Sequence, residues 1–183
     1  MMPYDLFEHR HRFSVWAAAR AAQRGFTSVD RLRDALGKTD IREFVLHHVE
    51  EAITDADFKE RHGAWCDTIF EFLVDSGVSN VSFGRAAKLV AVYIKAMVVV
   101  GPHSETQFAL VAHPPIDSIL LGGIADCDNL PGTIRQLCRS TKWTQLERSS
   151  YYSIVDQIKA FVPDIEPFWR LERYWTVTQD ADS

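Results

Sequence analysis

An all-α fold of about eight to nine helices is what this 183-residue sequence predicts, on three observations. Apolar residues recur at helical rather than alternating spacing in successive segments. Capping residues precede those segments and glycines or prolines break them. Hydrophobic residues make up 46% of the chain and charged residues 25%, enough for a core that needs no disulfide or metal. No repeat or low-complexity tract interrupts the pattern. The length reads as a single helical domain over 1–183, with two small lobes either side of the 77–83 hairpin as the alternative.

Each element follows from its own signals. Residues 5–24 carry Phe13, Trp16, Ala17 and Arg20 at helical spacing in an alanine-rich stretch that Gly25 ends. Ser28 caps a short helix that stops at Gly37, and Thr39 or Asp40 starts another through Phe44, His47, His48 and Glu51. Thr54 and Asp57 have capping-box spacing for a helix that carries Trp65, Ile69, Phe70 and Leu73 and ends near Gly77. After the linker VSNVSF comes the long apolar helix FGRAAKLVAVYIKAMVVVG, whose β-branched tail reads equally as a strand. Residues 106–112 read as extended. Pro114 and Pro115 stop that stretch and open the helix IDSILLGGI, with Asp117 in its first turn. Pro131 opens TIRQLCR, 143–161 reads as one amphipathic helix, and 163–175 as a last aromatic-rich one.

Composition excludes several classes. No apolar run approaches the roughly 18 residues of a membrane span, and the start MMPYDLFEHRHRF has no secretory h-region. Cys66, Cys127 and Cys138 are odd in number and widely spaced, which fits neither a disulfide framework nor a zinc knuckle. The expected location is cytoplasmic. The net charge of −5 argues against a uniformly basic nucleic-acid coat. The charge is uneven, however. Residues 40–80 hold ten acids against three bases, whereas 82–101 hold Arg85, Lys88 and Lys95 and no acid. Residues 129–148 hold Arg135, Arg139, Lys142 and Arg148 against Glu147, and 9–38 hold seven bases against two acids. Either the basic segments share a phosphate-binding face, or acidic and basic helices pair with each other.

Two segments carry the chemistry. Gly84-Arg85-Ala86-Ala87-Lys88 opens the apolar helix directly after a tight connection. Small residues there admit close approach of a backbone or ligand, and helix N-terminal amides suit a phosphate. Lys88 lies one turn into an apolar helix, where burial favours the neutral amine, a nucleophile for Schiff-base chemistry. The alternative is a lysine that snorkels to the surface. In Ala112-His113-Pro114-Pro115-Ile116-Asp117 the helix dipole keeps Asp117 ionised. A nucleophilic amine beside a carboxylate is the pair that breaks an N-glycosidic bond. A simple helix cap is the other reading of Asp117.

This arrangement resembles the helix-hairpin-helix superfamily of DNA glycosylases, and within it the 8-oxoguanine DNA glycosylases, over roughly residues 65–125. That family sets its lysine four residues after a hairpin glycine, as Gly84 and Lys88 are here, and its aspartate at the start of a later helix in a pattern like V-D-x-H-V, which Ile116-Asp117-Ser118-Ile119-Leu120 approximates. The usual hairpin L-P-G-x-G is replaced by V-S-F-G-R-A, and the Lys88–Asp117 gap of 29 residues is long. The L-P-G-T string at 130–133 lies after the aspartate, so it is not the lysine-bearing hairpin. The resemblance implies a helix-hairpin-helix-like element, double-stranded DNA as partner, and excision of a damaged or modified purine with Lys88 as nucleophile and Asp117 handling charge and protons. Lys95, two turns on, is a second candidate amine. Gly84, Arg85, Arg135, Arg139 and Lys142 are the DNA-binding candidates. Phe13, Trp16, Trp169 and Trp175 are the candidates to stack on a flipped base, with core packing the alternative for each. Trp143, beside Lys142, reads as a surface wedge, and His113 as a group that orients Asp117 or as a structural turn residue.

Other groups are weaker. His47 and His48 are adjacent and point apart on a helix, His9 and His11 share the defect, and no HExxH occurs, so no metal is expected. Gly122-Gly123 lacks nucleotide-loop spacing, and no cofactor is expected. The chain is expected to be a monomer without membrane contact. A non-catalytic helical module that binds DNA or a protein is the alternative to the enzyme.

Overall fold

Helix caps set the frame of the molecule. A computed structural model describes residues 4–161 and 167–176. These form nine α-helices, and no strand occurs among the described residues: α1 Leu6–Gln23, α2 Val29–Leu36, α3 Ile41–His48, α4 Asp55–Asp75, α5 Phe83–Ile94, α6 Gln107–Val111, α7 Ser118–Asp126, α8 Gly132–Ser140 and α9 Arg148–Lys159. Ser28 accepts the Arg31 amide at the start of α2, and Thr54 with Asp57 forms the complete capping box of α4. Helix α4 ends in a Schellman turn: Gly77 sits at φ 73°, its N–H donates to the Val74 carbonyl, and the Val78 N–H donates to the Leu73 carbonyl. Asn80 adopts a second left-handed turn, and Ser82 caps α5.

Helix α5 is the centre of the fold. Ten of its twelve residues are buried. Helix α1 lies along it through Ser14, Ala18 and Ala22, whose small side chains let the two backbones approach. Helices α2, α4 and α9 and the 3₁₀ turn Trp143–Gln145 also pack on α5. One contiguous hydrophobic cluster draws on all nine helices. No helix among the described residues is long and apolar enough to cross a membrane.

Four expectations need correction. The β-branched tail of α5 is no strand: Lys95–Val99 widens into a π turn, closed by the Val100 N–H on the Lys95 carbonyl at 2.8 Å. The 106–112 stretch is not extended, because Thr106 caps α6 by accepting the Ala109 amide. The single helix expected over 143–161 is broken, since Leu146 and Glu147 are extended and the Leu146 carbonyl accepts the Gly84 amide at 3.0 Å. The last helix is a 3₁₀ segment, Phe168–Tyr174, and the earlier part of its expected range, 163–166, lies outside the described residues.

Candidate active site

The buried pair at the middle of α5 is built by three elements. Lys88 sits on the helix that is covered on nearly every side, so its side chain is only 3% exposed. Asp117 comes from the start of α7, as its N-cap and not in its first turn. Its Oδ1 accepts the amides of Ile119 and Leu120, each at 3.0 Å. Pro114 and Pro115 hold the approach to that cap extended. Oδ2 accepts Lys88 Nζ at 2.9 Å across 29 residues of sequence. Burial works to raise the Asp117 pKa, but the Leu120 amide, the Lys88 ammonium and the Trp175 indole outweigh it, and the carboxyl lies below its usual range.

Two tryptophans close the pair from solvent. Lys88 Nζ lies 4.9 Å from the centre of the Trp143 ring, which is therefore folded inward over the amine and does not project as a wedge. Close approach of this segment depends on Gly84: a Cβ there would meet the Trp143 carbonyl oxygen at 2.1 Å. Trp175 lies over Lys95 at 5.1 Å, and Lys95 forms an ion pair with Glu172. This second pair lies in the layer outside the first. Burial raises the Glu172 pKa, Lys95 opposes that, and the charge of Asp117 adds to it. The 3₁₀ segment carrying Glu172 approaches α7 at Gly123, where a Cβ would meet the Tyr174 carbonyl oxygen at 1.8 Å.

The remaining candidates divide. Arg85 stacks on Phe26 at 4.2 Å and faces Trp143 at 5.8 Å, with its buried Nε unpartnered among the described residues. The helix end beside it is not an open phosphate cradle: the amides of Gly84, Arg85 and Ala86 donate to the Leu146 carbonyl, the Ser82 hydroxyl and the Ser82 carbonyl. Arg135 and Arg139 both donate to the Ala125 carbonyl at the C-terminus of α7 and reach Asp128 and Asp126. Lys142 is exposed, with no acidic partner among the described residues. His113 does not orient Asp117. It is buried against Phe58, His62 and Phe168, its Nδ1 lies 3.3 Å from the Tyr151 hydroxyl, and its Nε2 has no partner among the described residues. Trp169 is half-buried, its indole N–H unpartnered among the described residues, with the Arg170 guanidinium 5.7 Å from its ring centre. Phe13 and Trp16 are exposed on the side of α1 that faces away from α5, so they do not line the pair.

Glu172 is a site residue that sequence reasoning missed, because only the folded chain brings its segment over α7. The acidic and basic segments do meet at Asp67 and Arg148, whereas Asp55 pairs with Lys59 of its own segment and with Lys159, beyond the basic stretches. No family model matches the chain, and no curated protein or solved structure matches it either.

Proposed function

We propose that this protein is a DNA glycosylase/lyase that excises a damaged or modified purine, of the 8-oxoguanine kind, through a lysine Schiff base. The observation that carries this reading is the Lys88–Asp117 pair, 2.9 Å apart and fully enclosed. The α4–α5 connection supports it as a helix-hairpin-helix-like element, with its Schellman turn, left-handed Asn80 and Ser82 cap leading to a lysine four residues after Gly84.

The chemistry needs only these two groups and the substrate. Asp117 takes a proton from the Lys88 ammonium, the proton acceptor within reach at 2.9 Å. The freed lone pair forms a bond to the sugar C1′ as the glycosidic bond breaks, its electron pair leaving with the base, which takes the proton held by Asp117 and so restores the carboxylate. The sugar ring then opens to the protonated imine as one proton of the C1′-bound ammonium passes through Asp117 to O4′. Loss of a C2′ proton from that imine expels the 3′ phosphate and cuts the strand. Asp117 stabilises the cationic sugar and returns or accepts protons through this sequence. A flipped nucleotide reaches the amine only if Trp143 or Trp175 swings away, since Lys88 is closed to solvent here. Both rings then offer a face to the extruded base.

The same burial favours a second reading, a binding module in which the ion pair is a relic holding α5 to α7. Borohydride trapping separates the two. Wild-type protein is expected to cross-link covalently to a duplex bearing 8-oxoguanine or an abasic site, and Lys88→Gln to abolish the adduct while Lys95→Gln keeps it. A wild-type protein that neither traps nor shifts DNA at low salt overturns the glycosylase reading.

A further inference from the structure

Helix α1 turns an unusual face to solvent. Leu6, Phe13 and Trp16 are 69%, 57% and 52% exposed, although a helix packed on a core normally turns such residues inward. At 3.6 residues per turn these three and Arg20 fall within about a quarter turn of one another, opposite the buried Ser14, Ala18 and Ala22. The Phe13 and Trp16 rings stand 5.9 Å apart and tilted by 40°, so each leaves a face open.

The charge beside Phe13 and Trp16 along the chain has one sign, with Asp5 lying at the far, Leu6 end. Residues 9–29 contain four arginines and no Asp or Glu, in a chain whose net charge is −5. Glu8, the acid of α1 itself, is engaged by Arg12 and by Arg42 of α3. Arg20 and Arg24 are exposed with no carboxylate partner among the described residues. They follow Trp16 at intervals of one turn, about 6 Å of helix axis each.

We infer that this face of α1 is a docking surface for an unpaired nucleic-acid strand, whose bases stack on Phe13 and Trp16 while Arg20 and Arg24 hold its phosphates. Aromatic platforms beside arginines are what sequence-tolerant single-strand binding uses. Two open ring faces followed at one-turn intervals by arginines match the alternation of base and phosphate along a strand. The surface lies on the far side of α1 from Lys88, so it engages strand beyond the reacting nucleotide. It rests on the nucleic-acid half of the proposed function and not on its chemistry.

Fluorescence anisotropy with a labelled, undamaged single-stranded oligonucleotide tests it. Phe13→Ala and Trp16→Ala, both at exposed positions and checked for unchanged circular dichroism, are expected to weaken binding by about tenfold each at fixed salt. Arg20→Gln with Arg24→Gln is expected to lower the slope of log K against log salt by about 1.4, the share of two phosphates. If the wild type binds no oligonucleotide, or the aromatic variants bind unchanged, the inference is overturned, whatever the trapping experiment shows. It is equally overturned if the wild type self-associates, or binds anionic vesicles in place of the strand, and Trp16→Glu abolishes that. A protein that fails to trap yet needs Trp16 for binding keeps this surface and loses the glycosylase.

Discussion

Truncating one member of the Lys88–Asp117 pair strands a different ion from truncating the other, and the costs are unequal. In Asp117→Ala the buried ammonium of Lys88 keeps the Trp143 ring but no carboxylate among the described residues, and α7 loses its cap, so unfolding in urea is expected to lose about 3–5 kcal/mol. In Lys88→Met the apolar stem is largely replaced, and Asp117 keeps the Ile119 and Leu120 amides, so the loss is expected to be smaller, about 1–3 kcal/mol. Equal losses would mean that the amides do not hold the carboxylate. Part of this site was legible in the sequence. Gly84 and Lys88 have helix-start spacing, and the double proline announces a helix whose cap is Asp117. That the two meet was not legible from periodicity, because 29 residues of π turn, short helix and extended chain decide where α7 begins. His113 had a turn signal, yet burial among aromatic rings claimed its side chain.

Element by element, local signals set boundaries well and tertiary contacts overrode them in few places. Ser28, Thr54, Gly37 and Gly77 marked ends that the structure keeps. The break at 146–147 was invisible because a hydrogen bond from Gly84, distant in sequence, outcompetes continuation of the helix. The sequence likewise shows Gly122-Gly123 as an unexplained pair, whereas the structure gives the two residues opposite roles. A Cβ at Gly122 meets nothing within 4 Å, so Gly122→Ala is expected to stabilise α7 by about 0.5–1 kcal/mol through helix propensity alone. At Gly123 the Tyr174 carbonyl blocks the added methyl, a backbone group that cannot rotate aside. Gly123→Ala is therefore expected to lower the urea midpoint and to loosen the 3₁₀ segment that carries Glu172 and Trp175. Both variants shifting in the same direction would refute the close approach.

For the molecule as a whole, acid is the sharpest stress, because its core holds uncharged imidazoles. His62 is fully enclosed, with its Nδ1 2.9 Å from the Tyr152 hydroxyl and its ring 4.9 Å from that of His113. Burial, with Arg148 adding repulsion, pushes the His62 pKa down to about 3, and burial next to His62, Lys159 and Lys59 pushes that of His113 well down. Both are histidines whose folded form takes up protons less readily than the unfolded chain at the usual 6.5. The unfolded state therefore binds more protons at every pH between 6.5 and the folded value, and stability falls as pH falls through that window. Each histidine contributes about 1.4 kcal/mol per pH unit there, a large share of the roughly 5–15 kcal/mol typical of a domain. The carboxylates held low, Asp117 and Asp55 among them, act only below their usual 3.8, where their stabilisation is lost on protonation. Glu172, raised by burial, acts oppositely from 4.5 upward and offsets a fraction of the histidine effect between 4.5 and its folded value. The two sets of groups thus separate along the pH axis. Urea midpoints are expected to be level above pH 7, to fall steadily from about 6.5 to 4.5, and to steepen further below 4. His62→Gln, which retains a hydrogen-bonding group for Tyr152 and removes one titrating imidazole, is expected to reduce the slope between 6.5 and 4.5 by about a third to a half, since His11, also lowered by burial, supplies part of the rest. A slope unchanged in that variant would place the acid sensitivity outside the His62–His113 cluster.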